Sequence, residues 1–499
     1  MAWEWHTTLW RWLLAALLPV TLPASAQSFN YWTRNFNEES SLVSGAVVGG
    51  GAGPSAIYYN PAVIGEKSNS QFSIHASLFS MNQYNIRNAL GNGVDLSSTQ
   101  FIVEPRFISY MMRPHHRWTV EFAFLNNENY RLDLNTSLDM QVDVLRHLPG
   151  EERYYARFRY TDRYRDDWVG AGFSYRINAY WKAGMSMMVP IRSLDYNYLV
   201  DLSAMPLSDT ILTGEGPVPY YSARYEEMDY IHLNNYRLLW KGGLLYHRGR
   251  VGWGLSVTTP SVNVYADGKR VARRQSRSNI MAPDTAVMLP DQDLVDYKEK
   301  KDVKVDLRTP WSVALGGTFQ LPARRKQMLY LTAEYFASLK PYRVVEAEEL
   351  RSSLQGREWL TFVSGGRAIL NVAAGYNVYL RENLQLMGGF RTDFNARKDL
   401  DLSPFEEAKK IKGLTLDIYR FSGGMIFTFK GQDIIMGVQY SIGREAGREQ
   451  FANLAEPVEY NEEIGMPLQG TPHDNMRILS NNLNFYFGAT FNFNSSKQD

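Results

Sequence analysis

Apolar and polar residues alternate at period two along most of this chain, in segments of about ten residues. Successive side chains of a strand point to opposite faces, so the pattern predicts strands with one apolar face. Two segments show it most plainly. In RWTVEFAFLN the apolar face holds Trp118, Val120, Phe122 and Phe124, and in YRFSGGMIFTFK it holds Tyr419, Phe421, Met425, Phe427 and Phe429.

The apolar faces are rich in Tyr, Trp and Phe near the strand ends. A soluble β-sandwich would hide an aliphatic face, whereas aromatic residues at strand ends are typical of the girdles of outer-membrane barrels. The last strand, NLNFYFGATFNF, places Phe485, Phe487, Phe491 and Phe493 on one face and resembles the assembly signal of such barrels. The pattern therefore predicts strands that face lipid.

The connections between these strands alternate between short and long, as in outer-membrane barrels. The short ones are RPHH, INAY, HRGR, LPARRK, LREN and KGQD. The long polar stretches lie near residues 81–100, 134–150, 201–227, 266–301, 346–366, 395–414 and 443–480. If residues 153–177 form one long strand, the spacing predicts a transmembrane antiparallel β-barrel of about 14 strands, an all-β fold.

The first 26 residues have the features of a secretory signal. Arg11 precedes the apolar run WLLAALLPVTL, and Ala24 and Ala26 form a small-x-small cleavage site. Beyond this segment no apolar stretch approaches the roughly 20 residues that a membrane helix needs. The chain is therefore expected to be exported and to cross a membrane only with strands.

Composition narrows the possible chemistry. The 499 residues contain no cysteine, which excludes disulfides, zinc thiolates and thiol catalysis. The net charge of +1 makes nucleic acid an unexpected partner. The histidines stand in no catalytic or metal-binding motif, so we expect no enzyme activity, no cofactor and no metal, with an outer-membrane lipid hydrolase as a minor alternative.

The segment VVGGGAGPSAIYYNPAVIG, residues 47–65, is glycine-rich without being a phosphate loop. Pro54 follows Gly53, no lysine occurs before Lys67, and Ala56 stands where a dinucleotide loop needs its third glycine. The segment precedes the first strand, QFSIHASLFS, and a 14-strand barrel is wide enough to need filling. We therefore predict a signal peptide at 1–26, a plug at 27–69 and a barrel at 70–499.

At these residues the chain resembles the FadL-type long-chain fatty acid transporters. GAGPSAIYYNPAVIG is similar to the family's N-terminal hatch, and VTTPSVNVYADGK and LRTPWSVALGGTF are similar to its paired strands with Thr-Pro. AAGYNVYLRENLQLMGGFRTDF resembles its late hairpin. The resemblance assigns Asn60, Pro61 and Ala62 as hatch residues. From the same glycine-rich segment we add Gly49, Gly50, Gly51, Gly53 and Tyr59 as hatch candidates.

The resemblance implies passive uptake of hydrophobic molecules across a Gram-negative outer membrane, and we expect the protein to be a monomer. The substrate would enter an apolar pocket in the barrel and leave sideways through a kinked wall when the hatch shifts. Asn126, Asn127 and Asn129 break the strand alternation and are candidates for the kink, although a strand end leading into a loop is the favoured interpretation. A general porin and a loop-based adhesion scaffold are alternative functions.

Strand parity places several charged residues on inward faces. The simplest explanation is that they pair with one another and stiffen the lumen. Arg237 or Lys241 is the candidate for binding a substrate carboxylate. The predicted inward charges are Glu104, Arg106, Glu121, Arg237, Lys241, Glu334, Arg391, Asp393 and Arg420. A separate arginine row, Arg153, Arg157, Arg159, Arg163 and Arg165, is either solvated or a contact for lipopolysaccharide.

Overall fold

The computed structural model describes residues 30–493 except 67–69, 147, 208–210, 214–215, 219–221, 281–293, 347–359, 398–408, 411–412 and 431. The predicted signal peptide lies outside the described residues. Among them, no helix is long and apolar enough to cross a bilayer.

The described part of the chain is built almost wholly of strands, with two short helices and two 3₁₀ turns before the first of them. The helices are α1 (Glu38–Leu42) and α2 (Ala56–Tyr59), and the 3₁₀ turns are Gly53–Ser55 and Pro61–Val63. The strands are β1 (Gln71–Arg87), β2 (Leu96–His115), β3 (Trp118–Val142), β4 (Glu152–Arg176), β5 (Trp181–Pro206), β6 (Ile211–Thr213), β7 (Gly216–Val218), β8 (Ala223–Arg248), β9 (Val251–Thr258), β10 (Val262–Ser278), β11 (Leu294–Lys300), β12 (Lys304–Val305), β13 (Ser312–Leu321), β14 (Gln327–Phe336), β15 (Leu339–Glu346), β16 (Phe362–Gly366), β17 (Ile369–Arg381), β18 (Leu384–Asp393), β19 (Lys409–Lys410), β20 (Ile418–Phe429), β21 (Gln432–Arg448), β22 (Tyr460–Asn461), β23 (Met466–Pro467) and β24 (Met476–Asn492).

Fourteen of these strands close into an antiparallel barrel, as the sequence predicts. The ring runs β1, β2, β3, β4, β5, β8, β9, β13, β14, β17, β18, β20, β21, β24 and returns to β1. The predicted long strand is confirmed as β4, which preserves the even strand number. The lower part of β8 pairs with β9, and its upper part pairs with β10, which continues β9 beyond Pro260.

The outside of the barrel carries an apolar band, as predicted. Trp118, Phe122, Phe421, Phe427 and Phe487 are all well exposed on that face. A closed ring leaves no strand edge to lipid, and an apolar outer band satisfies the hydrocarbon core. This is the architecture of an outer-membrane protein.

The barrel wall is tall on one side and low on the other. β3, β4, β5 and β8 have 25 or 26 residues, whereas β13, β14 and β18 have 10. At about 3.3 Å per residue, the longer strands reach far beyond the roughly 25 Å apolar band. All seven of the predicted long loops are therefore partly wrong. β1 and β2, β3, β5 and β8, and β10 and β11 extend into the first four, and the other three contain β16, β19, and parts of β21 and β24. Above the membrane an outward strand face is polar, so strand and loop look alike in sequence.

The inner face of the tall wall ends in an extracellular apolar cluster, which includes Leu132, Phe158, Tyr196, Phe451 and Leu454. Tyr160 stacks on the Phe451 ring at 5.5 Å, and the Phe451 amide donates to the Ala89 carbonyl at 3.0 Å. The loop that carries Phe451 therefore covers the lumen from the extracellular side.

The N-terminal segment, residues 30–66, fills the lumen below this cluster. Asn60 is completely buried, and its Nδ2 donates to the carbonyls of Val48 at 2.8 Å and Leu244 of β8 at 3.2 Å. Its Oδ1 accepts from the Ala62 amide at 3.1 Å. One side chain therefore joins two turns of the segment to the wall.

Glycines of the wall make room for this segment. A Cβ at Gly243 would overlap the Asn60 amide oxygen, and one at Gly254 would overlap the Val48 carbonyl oxygen. At the neighbouring Gly242 a Cβ would meet nothing within 4 Å, because that position faces outward. The inward glycines thus allow a polypeptide backbone to lie directly against the wall.

We predict that Gly243→Val displaces the N-terminal segment, because its side chain occupies the place of the Asn60 amide. Overpacking of this kind costs about 1–3 kcal/mol of stability. Single-channel recording in planar bilayers should show ion conductance above the wild-type level. Gly242→Val is the matched control and should conduct like wild type. Equal conductance of both variants would contradict this account of the contact.

Candidate functional site

The predicted hatch glycines form turns within the N-terminal segment. Gly50, Gly51 and Gly53 have φ angles of +132°, +77° and +54°, in the region that favours glycine. Gly49 lies against the Gly316 backbone, where a Cβ would come within 2.8 Å. The Gly51 amide donates to Glu66 Oε2 at 2.8 Å, so a carboxylate of the same segment takes the place an anion would need.

The other predicted hatch residues also contact the lumen wall or the segment itself. Tyr59 donates its hydroxyl proton to Asn35 Oδ1 at 2.9 Å, and Arg391 of β18 donates to the same oxygen at 2.5 Å. Pro61 and Ala62 lie against Gly184 of β5. These contacts place all eight predicted residues in the barrel interior.

The first candidate for substrate binding, Arg237, is already paired. Its Nη2 lies 3.0 Å from Asp166 Oδ1, its Nη1 donates to Thr309 Oγ1 at 2.7 Å, and the side chain is 1% exposed. Arg192 binds the other oxygen of Asp166 at 2.9 Å. A substrate carboxylate would have to compete with Asp166, so the geometry gives Arg237 a structural role.

The second candidate, Lys241, shares a small cavity of mixed polar and aromatic lining with Arg237. The cavity measures about 40 Å³, and Tyr58, Trp168 and Glu334 also line it. The Lys241 ammonium lies 4.3 Å from the centre of the Tyr58 ring, a cation–π contact with the N-terminal segment. Carboxylate binding by Lys241 stays a prediction.

The predicted inward orientation of the charged residues is confirmed. All nine face the lumen, and eight of them are buried. Glu334 is half-buried and accepts hydrogen bonds from Trp32 Nε1 and Ser312 Oγ, both at 2.6 Å. Arg420 pairs with Asp393 at 2.8 Å. Pairing and hydrogen bonding within the lumen therefore account for most of these inward charges, in agreement with the simplest explanation given for them.

A larger cavity lies between the N-terminal segment and the extracellular apolar cluster. It encloses about 130 Å³, several times the space that one water needs. Its lining is mixed: amide, hydroxyl and charged groups are joined by aromatic and aliphatic side chains. The polar lining includes Arg106, Arg420, Gln439, Asn482 and Asn484, and the apolar lining includes Tyr84, Tyr130, Leu414, Leu416 and Ile418. We call this the lumen cavity.

Beside the lumen cavity the barrel wall is interrupted. β2 and β3 pair from the turn up to Phe107 and Leu125, and no β2–β3 rung follows in residues 96–142, which are all described. Both strands nevertheless continue, since β2 pairs with β1 and β3 pairs with β4. The two strands therefore separate into a lateral gap above Phe107 and Leu125.

A β-bulge in β3 lies at the base of the gap. The β3–β4 register shifts between Asn126 and Glu128, which leaves Asn127 as an extra residue, yet β3 runs on to Val142. The favoured sequence interpretation, a strand end at these asparagines, is wrong, and the kink is the correct one. Hydrogen bonds of Asn126 to Asp167 at 2.6 Å and of Asn127 to Asp166 at 3.2 Å hold the bulge.

Arg34 of the N-terminal segment bridges the base of the gap. It forms an ion pair with Glu104 of β2, and its Nη1 donates to Asn126 Oδ1 of β3 at 2.5 Å. Asn129 of β3 also donates to Glu104 Oε2, at 2.6 Å, and Thr33 donates to the Asn127 carbonyl at 3.0 Å. Side chains here replace the missing backbone rungs.

Sequence reasoning missed Arg34. It lies in an irregular segment, where strand parity gives no orientation, and its partners lie about 70 and 90 residues further along the chain. The gap itself was equally hidden, because β2 and β3 keep their alternation on both sides of it. The usable signal was the interrupted alternation at Asn126, Asn127 and Asn129.

The arginine row lies on the outer face of β4, and Tyr154, Phe158 and Tyr160 are buried on the inner face. Arg153 pairs with Asp139 at 2.6 Å, Arg163 with Asp133 at 2.7 Å, and Arg165 with Asp167 at 2.6 Å. These ion pairs belong to extended strands, not to a solvated loop, and they reduce the cationic character of the row. Contact with lipopolysaccharide stays a prediction.

Comparison with solved structures identifies the fold. A FadL homologue of Pseudomonas aeruginosa aligns over 95% of this chain and 100% of its own, with a TM-score of 0.56 and 11% identity. The toluene transporter TodX of P. putida aligns over 93% of this chain and 100% of its own, with a TM-score of 0.54 and 14% identity. No protein-family model and no curated protein sequence matches the chain. The expected FadL-type fold is confirmed.

We predict that Asp166→Ala destabilises the barrel by about 3–5 kcal/mol, because it leaves Arg192 and Arg237 buried without their counter-charge. Asp133→Ala, which removes an exposed pair partner of Arg131 and Arg163, should cost only about 1 kcal/mol. Denaturant unfolding in detergent measures both values. A small, equal loss would mean that Asp166 does not hold the two arginines.

A second prediction concerns Asp162, on the part of β4 above the apolar band, where its outward neighbour Arg163 is exposed. Burial raises the pKa of Asp162 from 3.8 to about 7, although Tyr160 and Arg397 oppose the shift. The folded protein thus binds a proton that the unfolded chain releases, so stability falls as pH rises from about 4 to 7. Asp162→Asn should match wild type in Tm near pH 4 and exceed it near pH 8; a pH-independent difference would contradict the assignment.

Proposed function

We propose that this protein is an outer-membrane channel for hydrophobic molecules, with long-chain fatty acids as the expected substrates. We further propose that residues 30–66 act as a hatch and that substrate leaves sideways through the gap between β2 and β3. The solved structures of the same fold are described as a FadL homologue and a toluene transporter, which supports hydrophobic cargo.

The lateral gap is the observation that carries this proposal. A backbone edge without partners is costly in hydrocarbon, where no water replaces the lost hydrogen bonds. In this barrel β2 and β3 are unpaired above Phe107 and Leu125, and the unpaired backbone lies beside the lumen cavity. An apolar solute that passes from the cavity to the lipid by this route stays out of water throughout.

In this mechanism the N-terminal segment controls the gap. Arg34 contacts Glu104 on one side and Asn126 on the other, so a shift of residues 33–34 breaks its contacts with both strands at once and leaves the Asn129–Glu104 hydrogen bond as a direct link between them. A substrate that binds better when the segment has moved would shift the equilibrium toward the open gap. The hatch contacts at Asn60 and Gly243 would hold the rest of the segment in place meanwhile.

The same packing argues against a general porin. A porin needs a continuous water-filled lumen, whereas here the N-terminal segment lies against the wall and the extracellular apolar cluster covers the top. We also propose that the protein acts as a monomer, because one chain supplies all fourteen strands of the ring.

The test is a reversible staple across the gap. Asn129 Nδ2 and Glu104 Oε2 lie 2.6 Å apart, so cysteines at these positions can be joined by a short bifunctional methanethiosulfonate reagent. The chain has no native cysteine, so the reaction is specific. We predict that uptake of radiolabelled oleate into proteoliposomes falls to background when Glu104→Cys/Asn129→Cys is stapled and returns after reduction.

The control is the same staple within the paired part of the wall. Ser109 and Ala123 face each other across β2 and β3, so Ser109→Cys/Ala123→Cys joins strands that are already joined. Stapling there should leave oleate uptake unchanged. If both staples leave uptake unchanged, lateral exit through this gap is wrong.

A further inference from the structure

Arg106 of β2 is a buried cation for which the lumen supplies only neutral partners. The side chain is 4% exposed, and its Nη2 donates to Asn484 Oδ1 at 3.0 Å and weakly to Ser77 Oγ at 3.5 Å. The guanidinium also lies 4.6 Å from the centre of the Tyr486 ring. Among the described residues, Nε and Nη1 have no hydrogen-bond partner and no carboxylate lies within 4.0 Å.

The other arginines that line the lumen cavity have carboxylate partners. Arg34 pairs with Glu104, Arg420 with Asp393 at 2.8 Å, and Arg131 with Asp133 at 2.7 Å. A buried charge without a counter-charge is unfavourable. A negative group brought to Arg106 would therefore remove a cost that the protein bears in this state.

Two acidic groups also line the lumen cavity and would repel an anion. Glu128 accepts a hydrogen bond from the Tyr164 hydroxyl at 2.8 Å and lies 3.9 Å from Arg192. Asp162 accepts from the Tyr160 hydroxyl at 3.3 Å. Both are on β3 or β4, whereas Arg106 is on β2 and its neutral partners are on β1 and β24. Arg106 and its neutral partners thus lie on a different part of the wall from Glu128 and Asp162.

The lumen cavity is amphipathic. Asn482, Asn484 and Gln439 accompany Arg106 in its polar lining. Tyr84, Tyr130, Leu414 and Ile418, which also line it, pack against the extracellular apolar cluster. A ligand with one polar end and one apolar end matches this lining better than a bare hydrocarbon, which would leave the polar groups without partners.

We propose that Arg106 binds the carboxylate head of an amphipathic substrate and that the lumen cavity thereby prefers carboxylated amphiphiles over uncharged ones. This inference rests on the proposed transport function. A head group at Arg106 displaces at most a neutral amide and a hydroxyl, whereas at Arg237 it would have to displace Asp166. The bond it forms is charge-assisted, which makes it the stronger kind of hydrogen bond.

The position of Arg106 also fits the exit route. It immediately precedes Phe107, the last β2 residue paired with β3. A head group held there lies at the base of the lateral gap, beside the Arg34–Glu104 ion pair that bridges it. The apolar tail then has the gap and the lipid beyond it within reach.

The experiment compares ligands that differ only in their heads. Binding of oleate, oleyl alcohol and oleylamine to the full-length protein in nanodiscs is measured for wild type, Arg106→Gln, Arg106→Lys and Lys241→Gln. Wild type should prefer oleate over the alcohol by about tenfold or more, and the amine should bind weakest. Arg106→Gln should lose this preference while its affinity for the alcohol stays unchanged, and Arg106→Lys should keep part of it.

Three results would overturn the assignment. If wild type shows no preference for oleate, or if Arg106→Gln keeps the preference, Arg106 is not the head-group site. Loss of the preference in Lys241→Gln and not in Arg106→Gln moves it to Lys241. If Arg106→Gln does not assemble, the assignment is tested by the order of the three ligand affinities on wild type and by the oleate preference of Arg106→Lys. Failure of wild type to bind any of the three ligands refutes the proposed function itself, whereas equal binding of oleate and oleyl alcohol refutes only the head-group site.

Discussion

Backbone hydrogen bonding around the ring of strands is the constraint on which the rest of this structure depends. In hydrocarbon each strand edge must find a partner, so the fourteen strands close and the outer faces become apolar. Polar residues are then confined to the lumen and to the part of the tall wall above the membrane. The interruption between β2 and β3 stands out against this rule, because the ring elsewhere pairs every neighbouring strand.

The lumen is filled in layers that follow from the same constraint. An inward strand face cannot remain empty in so wide a barrel, and glycines such as Gly243 and Gly254 let another backbone approach the wall. The N-terminal segment takes that space with buried polar contacts such as those of Asn60. Above it, paired charges and the lumen cavity lead to the extracellular apolar cluster. The result is a closed barrel whose lumen holds the N-terminal segment and the lumen cavity, with an interruption of the wall between β2 and β3.

The sequence predicted much of this, and the limits of the prediction have physical causes. Period-two alternation revealed the membrane strands, and parity gave the correct orientation for Trp118, Phe427 and Arg237. It failed where strands rise above the membrane, since β3 and β5 are polar outside there and resemble loops. Parity predicts the direction in which a charged side chain points but not its partner, so it gives Arg237 an inward orientation without predicting the ion pair with Asp166. The role of Arg34 depends on contacts between distant segments, which periodicity does not record.

In the proposed mechanism a hydrophobic molecule passes from the lumen cavity through the gap between β2 and β3. The most direct test is photo-crosslinking in proteoliposomes with a fatty acid that carries a diazirine at the end of its tail, followed by mapping of the adducts by mass spectrometry. Lateral exit predicts adducts on residues 97–106 of β2 and 126–134 of β3, on the two sides of the gap. Adducts confined to the short turns at the opposite end of the barrel would contradict lateral exit and indicate passage through the lumen instead.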